Sequence, residues 1–580
     1  MPGRPTGTGR GPGDLWHGRH GSFRVVTRRR PPGTTDTTPT ATPPPATPLP
    51  HTAVHPSAAP PPPLRLTWVQ PEDLIGHELR QAAEDGRDAT ALARRWQAAG
   101  GPPPPERAGA SPAPADPALR TLANRLLDEL ALLPSPLTTD EPTALDAIAA
   151  ARPPRAGARE GRGGREAKAR RGSPRPLPPL PLRGRGRGWV RGWGERSGAA
   201  PPAPTAPFSP TVTPTPLPTR LEAAWLGRAV GCLLGKPVEK LPLDGVRALA
   251  RASGNWPLAS YFTEAGTDPA VTARHPWNRR SRGTSLAENI HGMPEDDDLN
   301  YPLLGLLLIE RHGHDFTTAD VARLWLDELP AGRAFTAERV AYRNLLNGIE
   351  PPDTARHRNP FREWIGAQIR ADVFGWTRPG DPYGAAAEVW RDAVLSHTAN
   401  GVYGAMFAAA TVAEAAGGAC DVHGALRAGL AVVPARSRLA RAVRFGIAAA
   451  REEPTGTPDG FTGVVDRLHA AYGHHHWVHA VPNAALLAAA LTHADGDFSG
   501  SICRAVSGGW DTDSNGATAG SVAGLLAGDP GALPDRWTAP LGNRLATTVG
   551  GLDGIGFDTL ARRTAALAVP RPHRPEVSLP

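Results

Sequence analysis

Apolar residues recur at three- and four-residue intervals from about residue 221 onward, and almost nowhere do they alternate with polar ones. The pattern predicts helices at 221–234, 299–312, 318–329, 337–348, 384–395, 402–416, 421–431, 437–450, 461–472, 483–493, 499–506 and 516–527. Short segments rich in Gly, Pro and Asp separate them, which is where helices stop. β-branched alternation is nearly absent, so the expectation is an all-α, compact multi-helix domain over 220–570 with a short tail at 571–580. Several helices carry Gly and Ala at spacings that let two backbones approach. The plainest is GATAGSVAGLLAG, with Gly516, Gly520 and Gly524, which ends on Gly528 ahead of Pro530.

Upstream the periodicity breaks into pieces. Residues 64–135 hold Leu74, Leu79, Ala83, Leu92 and Trp96 at roughly helical spacing. A second stripe follows, Leu119, Leu122, Leu126, Leu127 and Leu130, with Asp116 placed to cap it. These predict a small helical module. Residues 1–63 are rich in Pro, Thr and Arg, and 136–219 form a basic, Pro-rich linker. Neither has enough apolar surface to offset chain entropy, so the N-terminal region is expected to be largely disordered around the module.

Charge divides the chain at the same place. Residues 1–220 carry 30 Lys+Arg and 18 Asp+Glu, net +12, which leaves 34 and 38 for the remainder, net −4. Of the 66 prolines, 42 fall in the first 220 residues. The overall +8 is therefore a property of the N-terminal part alone. Its RGRGRGWVRGWG run offers a nucleic-acid contact, although Arg/Pro/Gly tracts more commonly read as linker. Three cysteines, Cys232, Cys420 and Cys503, cannot make a disulfide framework. Arginines near the start lack an apolar run behind them, and no stretch is long and apolar enough to span a bilayer. A cytoplasmic setting without membrane contact is the expectation.

Two acidic stretches change the picture. PEDDDLNY sets Glu295, Asp296, Asp297 and Asp298 in a row before a strongly apolar helix. GGWDTDSNG sets Asp511, Asp513 and Ser514 before the Gly-striped one. Each alone reads as carboxylates at a helix N-terminus, or as an Asx-rich loop. If the two meet in space, their oxygens suit one or two hard divalent cations. Gly508 and Gly509 let the backbone turn tightly beside Trp510 and approach a ligand.

With AAWLGRAVGCLLGKPVE (223–239), these motifs carry a resemblance to the ADP-ribosylglycohydrolase family, the group that includes dinitrogenase-reductase-activating glycohydrolase. Gly231, Gly235, Pro237 and Glu239 resemble the family's first motif, PEDDDLNY its second and GGWDTDSNGATAGSVAG its third. The resemblance implies an all-α fold with a binuclear Mg²⁺ site, Mn²⁺ in some members. It implies hydrolysis of the glycosidic bond of an ADP-ribosyl group on a protein or small molecule. Carried over by motif, Glu295, Asp296, Asp297, Asp511, Asp513 and Ser514 would hold metal. Glu239, Asp297 and Asp298 would be the catalytic carboxylates, one of them activating water. Glu295 and Asp298 replace the hydroxyl residues usual in the second motif, and Asp296–Asp297 or Asp297–Asp298 can serve as the acidic pair. A hydrolase of another ribosyl or nucleotide-like compound, and a non-catalytic binding or structural member, are the alternatives.

SHTANGVYGAMFAAA lies where relatives place a phosphate-contacting loop or a His-rich helix start. That implies Asn400 and Gly401 as substrate contacts, with His397 and Tyr403 lining the site. The stretch Trp477–Asn483 is expected to line the cleft near the third motif, with Asn483 as the substrate contact. His475 and His479 are four apart, but no general-base Glu accompanies them as in zinc hydrolases.

Overall fold

The structure is a computed structural model that describes residues 69–154 and 215–569, apart from 107, 112, 454–456 and 458. The expectations for 1–63, for 155–214 and for 571–580 fall outside the described residues. Every regular element described is a helix, and only isolated bridges such as Met293 with Leu545 interrupt that. No described helix is long and apolar enough to cross a membrane.

All twelve predicted helical stretches appear, for instance Asp297–His312, Thr318–Glu328, Ala399–Ala416 and Ala480–Ala494. Their starts follow side-chain chemistry. Thr317 and Asp320 form a reciprocal capping box, and Asp421, Ser437 and Asp497 each accept a backbone N–H of the first turn. Three further helices lie outside the expected stretches: Leu243–Ala252, Asp372–Trp376 and Phe557–Ala566.

The centre of the fold is the crossing of Leu217–Gly235 with Thr512–Ala527. Gly231 lies so near the second helix that an added Cβ would sit 1.9 Å from the Gly516 carbonyl oxygen. The reverse holds at Gly516, 2.2 Å from the Gly231 carbonyl oxygen. Backbones touch here, so each helix fixes the other's axis and register. The first helix delivers Glu239 just past its C-terminal end, and the second begins at Asp511 and Asp513.

The N-terminal module packs against this domain through charge. Arg362 bonds Glu78 and Asp85, both at 2.9 Å, and Arg438 bonds Glu141 at 2.7 Å and Glu363 at 2.8 Å. The module is also longer than its apolar stripes indicated. Residues 136–154, expected as linker, include the helix Leu145–Ala151, and the Trp390 indole donates to the Thr143 carbonyl at 2.8 Å. These anchors lie some 250 residues away in sequence, so no local pattern announces them.

Candidate active site

Both acidic stretches open into one cleft of about 690 Å³. Glu239, Glu295, Asp296, Asp297, Asp298, Asp511, Asp513 and Ser514 all line it. Across 216 residues of sequence, the Ser514 hydroxyl stands 3.4 Å from Asp298 Oδ2. Oxygens of Glu239, Asp511 and Asp513 lie within 4.8 Å of one another, and Asp296, Asp298 and the Cys232 sulfur form a second such group.

Local structure explains the convergence. Asp296 is the N-cap of Asp297–His312 and accepts the Asp298 N–H at 2.9 Å. Pro302, inside that helix, has no N–H to give to the Asp298 carbonyl. The fully buried Arg228 fills that place, its Nε donating to the Asp298 carbonyl at 2.8 Å. The same guanidinium pairs with Asp372 at 2.8 Å and approaches Asp298 Oδ1 at 3.4 Å. The proline thus frees the acceptor that ties the acidic helix start to the first motif's helix. On the other side, Gly509 and Trp510 take positive φ of 74° and 54°. Trp510 stacks on His469 at 3.9 Å, and His469 Nε2 meets the Gly508 carbonyl at 2.8 Å. Asn483 Oδ1 accepts the Asp511 N–H at 3.1 Å and Asn515 Nδ2 at 2.7 Å.

Some carboxylates have partners. Lys236 pairs with Asp296, Lys240 with Glu239 at 2.7 Å, and Arg333 with Glu295 at 2.9 Å. Asn278 donates to Glu239 at 2.7 Å. Asp297, Asp511 and Asp513 have no cation within ion-pair distance among the described residues. Burial first, then the neighbouring carboxylates, pushes Asp297 and Asp513 well above the usual carboxylate range. Burial lifts Asp511 to about 7. Asp296 goes the other way: burial opposes its charge, but the Lys236 ammonium beside it holds it down. This hard-oxygen donor set, with its surplus negative charge, fits divalent cations.

Residues 213–571 match the ADP-ribosylglycohydrolase family. The chain belongs to the ADP-ribosylglycohydrolase family. No curated protein matches it. Among solved structures, one described as an "ADP-ribosylglycohydrolase-related protein complex" is 21% identical, with a TM-score of 0.38. The match covers 61% of this chain and 99% of that one, a likeness too low to bear on function.

The family's three motifs therefore surround one cleft, and Trp477 and Val478 of the expected 477–483 stretch line it too, but His397, Asn400, Gly401, Tyr403 and Asn483 do not. His397 is fully buried, with Nδ1 2.8 Å from the Ser396 hydroxyl, and burial holds it neutral. Asn400 donates to Glu141 and to Glu363, both at 2.8 Å, and accepts the Leu439 N–H. A Cβ on Gly401 would lie 2.5 Å from the Arg362 carbonyl. The Tyr403 hydroxyl donates to the Pro142 carbonyl. The helix start that the resemblance offered for a phosphate is filled by the module's 141–143 strap, whose Glu141 pairs with Arg438 and accepts the Asn400 amide. Asn483, Gly508, Gly509 and Trp510 likewise sit behind the acidic loop and position it rather than line the cleft.

Several cleft residues were not singled out from sequence: Lys236, Lys240, Asn278, Arg280, Arg333, Phe335, Trp364 and His476. The GKPVEK run could have flagged both lysines, as the only ammonium groups beside the first motif's glutamate. His476 stacks on Trp364 at 4.1 Å and meets the Glu106 carbonyl at 2.8 Å. With Ala108 also lining, the module forms part of the cleft rim.

Near that rim, His475 and His479 face Glu84 at 3.6 and 3.5 Å, a spacing that resembles a metal centre. However, His479 Nδ1 accepts the Val481 N–H at 3.1 Å, which puts the ring proton on the Nε2 that a metal would need. The arrangement reads instead as a buried imidazole beside a carboxylate.

Proposed function

We propose that this protein hydrolyses the N- or O-glycosidic bond of an ADP-ribosyl group, freeing a protein side chain or small-molecule leaving group. The observation that carries the reading is the meeting of the two acidic stretches in one cleft, with three carboxylates lacking cationic partners. Asp296, Asp297, Asp298, Asp511, Asp513 and Ser514 would hold the metal. Bound Mg²⁺ or Mn²⁺, two ions in this reading, would supply Lewis-acid polarisation at the ribose hydroxyls. Glu295 contributes less directly, since Asn300 and Arg333 occupy its two oxygens.

Glu239 and Asp297 are the carboxylates best placed to take a proton from water. All three line the cleft, but the Asp298 carboxylate is held between Arg228 and Ser514. Hydrolysis passes through an oxocarbenium-like transition state, which nearby carboxylates stabilise. Arg280 and Arg333, with Phe335 and Trp364, offer cationic and aromatic surface for a diphosphate and a base, the role first sought at Asn400 and Gly401.

The test is release of ADP-ribose from arginine- and serine-linked ADP-ribosyl peptides, with Mg²⁺ or with EDTA. Turnover that needs the cation and falls at least a hundredfold in Glu239→Gln and Asp297→Asn supports the reading. Turnover that EDTA leaves untouched would overturn it.

A further inference from the structure

A second cavity, of about 370 Å³, lies between the helices Leu243–Ala252, Gly460–Tyr472 and Phe498–Ser507. It shares no lining residue with the acidic cleft. Three guanidinium groups line it, from Arg247, Arg504 and Arg536, together with Trp256 and Phe461.

Arg504 is the informative group. It is 6% exposed, yet its side chain makes no hydrogen bond or ion pair with any described residue, and its Nε is buried without a partner. A guanidinium so largely buried without an ion pair is costly, so the fold would ordinarily provide an anion. Among the described residues, Asp497 is the only carboxylate lining the cavity. It is committed to capping its helix, accepting the Gly500 N–H at 2.6 Å, and it makes no ion pair with Arg504. Arg247 reaches Asp466 at 2.7 Å, while its Nε too is buried without a partner. Among the described residues, Arg536 meets only the neutral Ser499 hydroxyl, at 2.9 Å, and the Trp537 ring. The cavity is thus cationic, with an aromatic wall, and among the described residues Asp466 pairs with Arg247 while no carboxylate pairs with Arg504 or Arg536.

We propose that this cavity binds a small organic phosphate. The phosphoryl group would sit on Arg504, flanked by Arg247 and Arg536, and the planar or apolar part would lie against Trp256 and Phe461. Charge-assisted, fork-shaped contacts to phosphate are what guanidinium groups make best. The site connects to the cleft through the backbone. The Arg504 carbonyl accepts the Gly508 N–H at 3.2 Å, and Gly508 begins the turn that presents Asp511. This inference stands independently of the hydrolase reading.

The test uses the full chain in EDTA, with inorganic phosphate and then adenosine monophosphate, followed by calorimetry and thermal shift. We expect both to bind, the nucleotide more tightly. Arg504→Met should weaken both by about tenfold or more, the usual loss for one charge-assisted contact. Trp256→Leu should remove the nucleotide's advantage but keep phosphate binding, and Asp511→Ala should change neither. Without ligand, Arg504→Met should melt no lower than wild type, since it deletes an unpaired charge. Unchanged nucleotide affinity in Arg504→Met, absence of binding by either probe at millimolar concentration, or loss of binding in Asp511→Ala would each overturn the proposal. So would a lower melting temperature in ligand-free Arg504→Met, because it would mean that the fold itself pairs this group.

Discussion

Replacing Gly516 by Ala should destabilise the protein, although helix propensity alone predicts the opposite. In an exposed helix interior Ala is better than Gly by roughly 1 kcal/mol. At Gly516 the new methyl would stand 2.2 Å from the Gly231 carbonyl oxygen and 2.8 Å from its carbon. Ordinary contact needs about 3.4 Å, so the helices would have to separate by roughly 1 Å through a close-packed core. Overpacking of this kind costs about 1–3 kcal/mol, and backbone facing backbone has no rotamer through which to relax, so the upper end applies. Subtracting the propensity gain leaves a net loss of about 1–2 kcal/mol. The control is Gly463→Ala in Gly460–Tyr472, where the added methyl would meet only the end of the Glu453 side chain, at 3.6 Å. That variant should gain up to about 1 kcal/mol. Urea unfolding of both reads the comparison. A Gly516→Ala protein as stable as Gly463→Ala would refute the backbone-contact account of this crossing. Because the crossing sets Glu239 against Asp513, cation affinity should also weaken in Gly516→Ala and stay unchanged in the control.

Other expectations follow from buried charge. Asp511→Asn with Asp513→Asn removes mutual repulsion among buried carboxylates, so in EDTA it should melt higher than wild type while losing any Mg²⁺-dependent shift; a lower melting point in EDTA would contradict this. Arg438→Met strands Glu141 and Glu363, at a cost of about 3–5 kcal/mol, and limited proteolysis should then cut within residues 69–154 sooner than in wild type. Burial lowers the pKa of His476 to about 3. The unfolded chain therefore takes up its proton near pH 6.5 and the folded one does not, so this contribution is complete above pH 6.5 and declines as pH falls. Between pH 6.5 and 5 the decline is about 2 kcal/mol. His476→Gln should shrink the difference in urea midpoint between pH 7.5 and 5 relative to wild type, and an unchanged difference would show that the ring titrates normally.

Helix periodicity in this chain was legible because most stripes face a single core. Phe461, Val464, Val465 and Leu468 are the buried residues of their helix, at the expected spacing, and caps such as Thr317 and Asp421 stand where the pattern begins. The acidic stretches were legible for another reason: repelling carboxylates beside apolar helices need an external answer. Tertiary substitutions for missing local bonds were not legible. Nothing near Pro302 says that Arg228 takes the vacated Asp298 carbonyl, and nothing near Asn400 says that Glu141 occupies its amide. An Asn-Gly helix start looks the same whether it faces a phosphate or a packed strap. The extent of the module was missed because residues 136–154 are held by partners such as Trp390 and Arg438 rather than by an apolar stripe of their own.

The most direct test of the central claim is calorimetry of ADP-ribose binding to the full chain, first with Mg²⁺ and then with EDTA. Two acidic stretches that form one cation-holding cleft predict binding with Mg²⁺, its loss in EDTA, and its loss in Asp511→Ala. Binding that is indifferent to EDTA and to Asp511→Ala, or no binding under either condition, would contradict it.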